Sequence, residues 1–312
     1  MQIKDLPDGQ IEEACALFHK VFAVQATPEA WRWKYHGTAL LGSINLVAFD
    51  ASEALVGHAG ALVLPGMDAG APRAMIQVCD VMVAAHRRGK GGAEAVYPAL
   101  MRALREAIAM RFPGAYAYGF PGKRPFLLGE RLGFYRRSYD ITQVEYEVLD
   151  ARNAIWPWER VQVLDWGGER AAMLERLWVQ HGAHAASPAV VRDAAYLQWR
   201  YAQHPTRRYT LLMFYQGWRV AGWWVVSVEG GRLRIVDALG RDLFSLSALR
   251  RLSAWAKAQG LAHVLSWKPV SSLAGRVTDT GIVAMQFVLS APGDPAESLR
   301  APGFMPGDLD IF

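Results

Sequence analysis

Apolar residues recur along the chain in two patterns, one typical of helices and the other of strands. From Ile11 to Phe22, and again through Val96, Leu100 and Leu104, they return every three to four residues, which predicts amphipathic helices. Short apolar runs predict strands, namely INLVAF from residue 44, ALVGHAGALVL from 54, IQVCDVMV from 76 and GAYAYGFPG from 114. Because helices and strands alternate, we expect a mixed α/β fold.

The second half of the chain repeats this order of elements. A helical pattern over residues 170–181 precedes the apolar runs YTLLMF, RVAGWWVVSV and LRIVDAL, and a helix through Leu249 and Leu252 precedes LAHVLSWKP. Each half has a tryptophan, a base and a tyrosine in succession, at residues 33–35 and 199–201, and an aspartate in a matching strand, Asp80 and Asp237. We therefore expect two copies of one unit, residues 1–155 and 156–312, the second ending in an irregular arm.

Composition limits the class of protein. The chain has 312 residues, of which 52% are hydrophobic and 20% charged, so a globular core is expected. No apolar run approaches the roughly 18 residues of a membrane span, and the N-terminus has no signal-peptide pattern. Two cysteines, Cys15 and Cys79, provide neither a disulfide framework nor a thiolate metal site, so we expect a cytoplasmic protein without a metal. The net charge of +5 permits acidic ligands without requiring nucleic acid.

The segment HRRGKGGA, residues 86–93, joins the strand that ends at Val83 to a helix expected to begin at about residues 92–93. A glycine-rich turn before a helix N-terminus forms an anion cradle, to which Arg88 and Lys90 add charge. A dinucleotide-binding fingerprint requires a third glycine where Glu94 stands. A P-loop requires Ser or Thr where Gly91 stands, so both patterns fail.

A third pattern fits this loop. Arg88–Ala93 resembles the Gln/Arg-x-x-Gly-x-Gly/Ala signature of the GCN5-related N-acetyltransferase (GNAT) family, and Leu132-Gly133-Phe134 resembles that family's late Leu-Gly-Phe element. The tryptophan-base-tyrosine elements and the closing Gly-Asp-Leu-Asp, residues 307–310, are similar to a bacterial tandem subgroup. The resemblance implies two tandem units, each a mixed, mostly antiparallel twisted sheet flanked by helices.

The resemblance also implies a donor and a reaction, the transfer of an acetyl group from acetyl-CoA to a primary amine of a small molecule. The residues implied to bind the pyrophosphate of acetyl-CoA are Arg88, Gly89, Lys90, Gly91, Gly92 and Ala93. The backbone amides of Val81, Met82 and Val83 are implied to contact the thioester oxygen. The second copy has only Gly240 in the matching region, so we expect it to bind no CoA.

Asp80 is the candidate general base, or the anchor for a cationic amine, because an aspartate within an apolar strand is unfavourable unless it is paired or used. Asp237 holds the same place in the copy without the loop, so a structural role fits equally well. The tyrosine that many relatives use as the acid is absent, since Gly129 stands there. Tyr118 is the candidate that replaces it, with Tyr116 and water as alternatives.

Two other functions fit the sequence. One is a Fem-like transferase, also built of two such units, whose donor is an aminoacyl-tRNA; the basic glycine loop argues against it. The other is a protein that binds acyl-CoA without catalysis, which the missing tyrosine leaves open. The expected partner is a small amine, with no membrane and no nucleic acid, and the protein is expected to be a monomer or a homodimer.

Overall fold

The computed structural model describes residues 1–89, 95–149, 158–166, 170–183, 187–270, 272–289 and 303–309. The described α-helices are α1 Ile11–Phe22, α2 Pro28–Tyr35, α3 Val96–Arg111, α4 Lys123–Arg131, α5 Ala171–His181, α6 Ala194–Leu197 and α7 Leu246–Ala258. The predicted boundary between the two copies lies among residues 150–157, outside the described residues, and stays a prediction.

Fifteen strands are found in the described part of the chain. They are β1 Gln2–Asp5, β2 Gly42–Phe49, β3 Leu55–Leu64, β4 Gly66–Asp68, β5 Ala71–Pro72, β6 Met75–Val83, β7 Tyr116–Gly119, β8 Tyr135–Glu147, β9 Glu159–Leu164, β10 Ala189–Val190, β11 Thr210–Gln216, β12 Arg219–Glu229, β13 Arg232–Gly240, β14 His263–Ser266 and β15 Arg276–Phe287. The apolar runs read from the sequence correspond to β2, β3, β6, β7 and β11–β14, so those predictions are confirmed.

Twelve of the strands form one mixed sheet, which confirms the expected α/β class. The order is β1-β2-β3-β6-β7-β15-β8-β14-β13-β12-β11-β9. In the first half β2, β3 and β6 pair antiparallel and β6 pairs parallel with β7. In the second half β11, β12 and β13 pair antiparallel and β13 pairs parallel with β14. The two halves thus follow the same sequence of pairings.

The last strand of each half lies beside strands of the other half. β15 pairs with β7, and β8 pairs with β14, while β8 and β15 also pair with each other. The sheet of residues 2–119 is therefore extended by residues 276–287, from the far end of the chain. Strand exchange makes the sheet continuous across the two halves.

The apolar core is also shared. One buried cluster joins α1 residues such as Phe18 to Trp199 and Trp223 of the second half. A second cluster, around Trp224, includes Val144 and Tyr146 of β8. Adjacent residues of a strand face opposite sides of the sheet, so Trp223 and Trp224 belong to different clusters.

Local signals set the ends of the helices that position the site. Thr27 precedes α2, and its hydroxyl accepts a hydrogen bond from the Ala30 amide at 3.1 Å, while Pro28 occupies the first helical position. Ser245 caps α7 in the same way, since its hydroxyl accepts from the Ala248 amide. None of the described helices is long and apolar enough to span a membrane.

Candidate active site

Strand β6 extends five residues, 79–83, beyond the end of its pairing with β7. The two strands pair over Met75–Val78 and Tyr116–Gly119 only. β6 continues to Val83, paired with β3 on one side and with no described strand on the other. Backbone N–H and C=O groups on that open side need a partner, so the gap beside β6, beyond the end of β7, can receive an extended polar ligand. We call this gap, bordered by residues 79–83 and 119–122, the cleft.

A β-bulge lies in β6 where the cleft begins. His58 is opposite Met82 and Gly60 is opposite Cys79, so Asp80 and Val81 together face Ala59. Asp80 has a φ of 48°, in the left-handed region that residues with a Cβ rarely adopt. The bulge thus turns the chain at the position that the sequence predicted as the general base.

The Asp80 carboxylate is held by two residues of α2. Its Oδ2 lies 2.5 Å from Lys34 Nζ and accepts a hydrogen bond of 2.6 Å from the Tyr35 hydroxyl. The Lys34 side chain is 0% exposed and that of Asp80 is 6% exposed. Burial, together with the charge of Asp80, raises the pKa of Tyr35 well above its usual range, so Tyr35 stays neutral and donates. Oδ1 is the carboxylate oxygen without a hydrogen-bond partner among the described residues.

His58 holds the main chain of the bulge. Its Nδ1 lies 2.8 Å from the Asp80 carbonyl oxygen, and its Nε2 lies 3.2 Å from the Asn45 side-chain amide. Burial lowers the pKa of His58 to about 4, so the ring is neutral near pH 7. The Asp80 carbonyl oxygen only accepts, whereas the Asn45 amide, whose Oδ1 faces Nε2, can turn its nitrogen towards the ring, so the proton is on Nδ1. Burial likewise raises the pKa of the Cys79 thiol to about 12, and the sulfur lies 3.5 Å from the Tyr35 hydroxyl.

The predicted donor loop is described in part. After β6 the chain makes a 3₁₀ turn over Ala85–Arg87, and Arg88 Nε donates to the Val83 carbonyl oxygen at 2.9 Å. Gly89 is exposed with a φ of 75° and open space where a Cβ would point. The predicted pyrophosphate contacts of Lys90, Gly91, Gly92 and Ala93 lie outside the described residues.

The helix after the loop begins later than predicted. Ala95 has φ −71° and ψ 94°, an extended conformation, and α3 begins at Val96 rather than at residues 92–93. The sequence offers no Ser, Thr, Asp or Asn at residue 95 to cap the helix, which made its start difficult to locate.

Tyr118 lies on β7, apart from Asp80. Its ring is fully buried and stacks on Phe304, with ring centroids 4.8 Å apart. Burial, with the nearby charge of Asp308, raises the pKa of Tyr118 well above its usual range. Its hydroxyl has no hydrogen-bond partner among the described residues, and no described contact joins it to Asp80. The C-terminal segment 303–309 covers this part of the sheet, where Gln77 Nε2 donates to the Asp308 carbonyl oxygen at 2.7 Å.

The position of the missing tyrosine has no room for one. A Cβ added at Gly129 would lie 2.1 Å from the ring of Tyr135 on β8. Because real Cβ atoms do not approach other atoms so closely, Tyr135 must move before any side chain can occupy residue 129. Gly129 thus goes with a packed aromatic ring in the space that a side chain would need.

The second half repeats part of this arrangement. The Tyr201 hydroxyl donates to Asp237 Oδ2 at 2.8 Å, as Tyr35 does to Asp80. The cation differs, since Arg192 lies 2.8 Å from Asp237 and 2.7 Å from Asp308. Arg200, which corresponds to Lys34, donates instead to the carbonyl oxygens of the C-terminal segment. All these side chains are buried, so the charges of Arg192, Asp237 and Asp308 compensate one another inside the second half.

Sequence reasoning missed Lys34, Tyr35, Arg192 and Asp308. A signal for the first two was present, because the tryptophan-base-tyrosine element occurs once per half and an aspartate occurs at a matching strand position in each. Within the part of the chain that the structure describes, no three His, Cys, Asp or Glu side chains come together in a way that could hold a metal ion.

Part of the chain matches the model of a known domain family. Residues 2–126 match the family model described as an acetyltransferase (GNAT) domain. No curated protein sequence matches the chain. The fold is similar to that of a GCN5-related N-acetyltransferase from Anabaena variabilis ATCC 29413, with a TM-score of 0.68 and 15% identity over 93% of this chain and 73% of that one.

Two more solved structures are similar. A GCN5-related N-acetyltransferase from Kribbella flavida has a TM-score of 0.65 and 16% identity over 92% of this chain and 72% of that one. A conserved protein of unknown function from Enterococcus faecalis V583 has a TM-score of 0.68 and 14% identity over the same shares. At such identities the likeness shows the fold. Residues 2–126 thus match the acetyltransferase (GNAT) domain, and nearly the whole chain shares its fold with structures of GCN5-related N-acetyltransferases.

Proposed function

We propose that this protein is an N-acyltransferase that moves an acetyl group from acetyl-CoA to a primary amine of a small molecule. The observation that carries the proposal is the cleft, because β6 leaves its pairing with β7 and ends at a basic, glycine-containing turn. Backbone donors on an open strand can contact the donor, and the turn can contact its phosphates. The match of residues 2–126 to the acetyltransferase domain supports this choice.

The reaction requires one bond to form and one to break. The amine nitrogen attacks the thioester carbonyl, the carbon–sulfur bond breaks, the amine proton passes to a base, and the sulfur leaves as a thiolate. Of the amides that the resemblance implies, that of Met82 is directed to β3, because Met82 lies opposite His58 in the register in which the Ala84 amide donates to the Val56 carbonyl oxygen. The amide of Val83 faces the open side of β6 and would, with that of Val81 at the bulge, stabilise the charge that develops on the carbonyl oxygen. Acetyl-CoA supplies the activated acetyl group, and Arg88, Gly89 and residues 90–93 would hold its pyrophosphate.

Asp80 is our proposed base. Its Oδ1 has no partner among the described residues, while Lys34 and Tyr35 fix the orientation of the carboxylate through Oδ2. Tyr118 stays our proposed acid, although it is covered by Phe304 and needs the C-terminal segment to shift before it can reach a thiolate. A thiol with a pKa of about 8.5 leaves largely as thiolate near neutral pH, so the acid is of secondary importance.

We also propose that the chain consists of two tandem units, divided near residue 155, and that only the first binds the donor. The sequence after Asp237 supports the second point, because it has only Gly240 and no basic glycine cluster, and Arg192 is already engaged there by Asp237 and Asp308. The ion pair that engages Asp80 and the burial of Tyr118 favour one further candidate, a protein that binds acyl-CoA without transferring the group.

The test is calorimetric titration of acetyl-CoA into the wild type and two glycine variants. Gly89→Glu adds bulk and negative charge beside the proposed phosphate site. Gly70→Glu makes the same change in an exposed turn with a similar φ of 81° and equally open space. We expect the wild type and Gly70→Glu to bind alike, and Gly89→Glu to bind at least about tenfold more weakly.

A wild type that does not bind acetyl-CoA would contradict the proposal. Binding leads to a second step, in which thiol release is followed with a panel of small amines. Release that depends on an amine supports the transferase, while binding without release under any amine supports the non-catalytic candidate.

A further inference from the structure

Three buried side chains converge on one strained residue beside the cleft. Asp80 is held in the left-handed region of φ within a strand, a conformation that is unfavourable for a residue with a Cβ. Lys34 and Tyr35 hold its carboxylate, and His58 holds its carbonyl oxygen. Such a conformation persists only where the surrounding structure enforces it.

We propose that Lys34, Tyr35 and His58 are positioning residues that hold the bulge at Asp80, and with it the cleft-facing backbone of residues 81–83, in the geometry that binds the acyl donor. This inference rests on the proposed function. The three residues need not touch the donor, because they act through the main chain of β6.

The contacts restrain two groups of Asp80, its carboxylate and its carbonyl. Lys34, 0% exposed, lies 2.5 Å from the carboxylate and compensates its charge. Tyr35 ties the same oxygen to the end of α2. Neutral His58 donates from Nδ1 to the carbonyl of Asp80, which fixes the peptide that joins Asp80 to Val81. Together they fix the side chain and the following peptide of one residue from two elements, α2 and β3.

The second half provides an internal comparison. Tyr201 and Asp237 form the same tyrosine–aspartate hydrogen bond. There the bulge falls at Val236, since Val225 is opposite Asp237 and Val226 is opposite Ile235, and Asp237 is not among the residues with positive φ. The tyrosine–aspartate hydrogen bond therefore does not by itself strain the aspartate. The strained bulge, held also by a histidine, occurs in the half with the basic glycine turn.

The test compares Tyr35→Phe with Tyr201→Phe by calorimetric titration of acetyl-CoA and by thermal unfolding of the full chain. Both variants remove one hydroxyl that donates to a buried carboxylate, so a purely structural role predicts equal losses of Tm and unchanged affinity. Our inference predicts that Tyr35→Phe raises the Kd for acetyl-CoA by about tenfold, while Tyr201→Phe leaves it unchanged.

A second pair of variants addresses the main-chain contact and does not depend on the first. His58→Asn keeps a donor near the position of Nδ1, and His58→Leu removes it. We expect His58→Asn to bind acetyl-CoA within about threefold of the wild type and His58→Leu to bind at least about tenfold more weakly, with near-UV circular dichroism confirming that both are folded.

Equal acetyl-CoA affinity of the wild type, Tyr35→Phe and His58→Leu would overturn the inference and leave the proposed function intact. Equal losses of affinity in Tyr35→Phe and Tyr201→Phe would also overturn it. A wild type that does not bind acetyl-CoA would overturn the proposed function and the inference together.

Discussion

Trp33 and Trp199 exchange reciprocal hydrogen bonds across the centre of the molecule. The indole Nε1 of Trp33 donates to the carbonyl oxygen of Trp199 at 3.0 Å, and Nε1 of Trp199 donates to the carbonyl oxygen of Trp33 at 3.0 Å. The rings stack with centroids 5.6 Å apart. Gly37 makes room, because a Cβ there would lie 2.2 Å from Trp199 Nε1. Two residues at matching sequence positions thus bond as a symmetric pair.

Because of this symmetry, we expect substitutions of Trp33 and Trp199 to have coupled effects on the free energy of unfolding. Trp33→Phe and Trp199→Phe each remove one indole N–H donor, so one buried carbonyl oxygen loses its hydrogen bond. Each substitution should therefore lower the free energy of unfolding by about 1–3 kcal/mol. Because the pair shares one contact, the double variant should lose less than the sum, by about 0.5–3 kcal/mol. Urea unfolding measures this, with Trp218→Phe, at a residue 95% exposed, as the unchanged control. Strict additivity would contradict the prediction.

Arg192 bridges two buried carboxylates, so its removal should strongly destabilise the protein. Arg192→Met leaves Asp237 and Asp308 without their cation, and we expect the free energy of unfolding to fall by at least about 3 kcal/mol. Arg111→Met is the control, because Arg111 and its partner Asp5 are 45% and 64% exposed and such pairs contribute about 1 kcal/mol or less. Equal losses for the two variants in denaturant unfolding would refute this.

His58 predicts a pH dependence of stability. Its pKa is lowered from 6.5 to about 4 by burial, so between these values the unfolded state binds more protons than the folded one. The free energy of unfolding therefore falls as the pH drops from 6.5 towards 4, by up to about 3 kcal/mol from this residue. Urea unfolding of the wild type and His58→Asn across this range should show a shallower slope for the variant. Parallel slopes would assign the dependence to other groups.

The packing around Gly129 predicts that even a small side chain at this position destabilises the protein. Gly129→Ala places a Cβ against the ring of Tyr135, 2.1 Å away, and overpacking of this kind costs about 1–3 kcal/mol. Gly9→Ala adds the same methyl group where nothing lies within 4 Å, so it should leave the thermal midpoint nearly unchanged. If the two variants melt at the same temperature, Tyr135 moves aside at no cost and the packing argument fails.

Much of the fold could be read from the sequence, because strands such as β3 and β6 are apolar runs bounded by turns and their hydrophobic pattern is local. Strands β8 and β15 were not predicted. The sequence of β8 is YRRSYDITQVEYE, which contains many polar residues and no apolar run. This strand is stabilised by pairing with the distant strands β14 and β15. Pairings between residues so far apart in the chain leave no local pattern, so the exchange of strands could not be predicted.

Only part of the site could be predicted, because contacts between distant residues leave no local pattern in the sequence. The position of Asp80 within an apolar strand, before a basic glycine turn, was visible in the sequence. The contacts of Asp80 with Lys34 and Tyr35 were not visible in the sequence. They join residues that lie far apart in the chain, and they require the bulge. The burial of Phe304 and Asp308 was also unforeseen. A segment rich in Pro and Gly has no periodic pattern, and the fold nevertheless buries part of it between the halves.

The exchange of β8 and β15 also affects how the protein can be made in a cell. A ribosome produces β7 long before β15, so the edge of β7 has no native partner strand until residues 276–287 have emerged. An open edge is prone to pair with other chains. The first half therefore cannot complete its sheet until β15 has emerged, and the two halves reach their final form together.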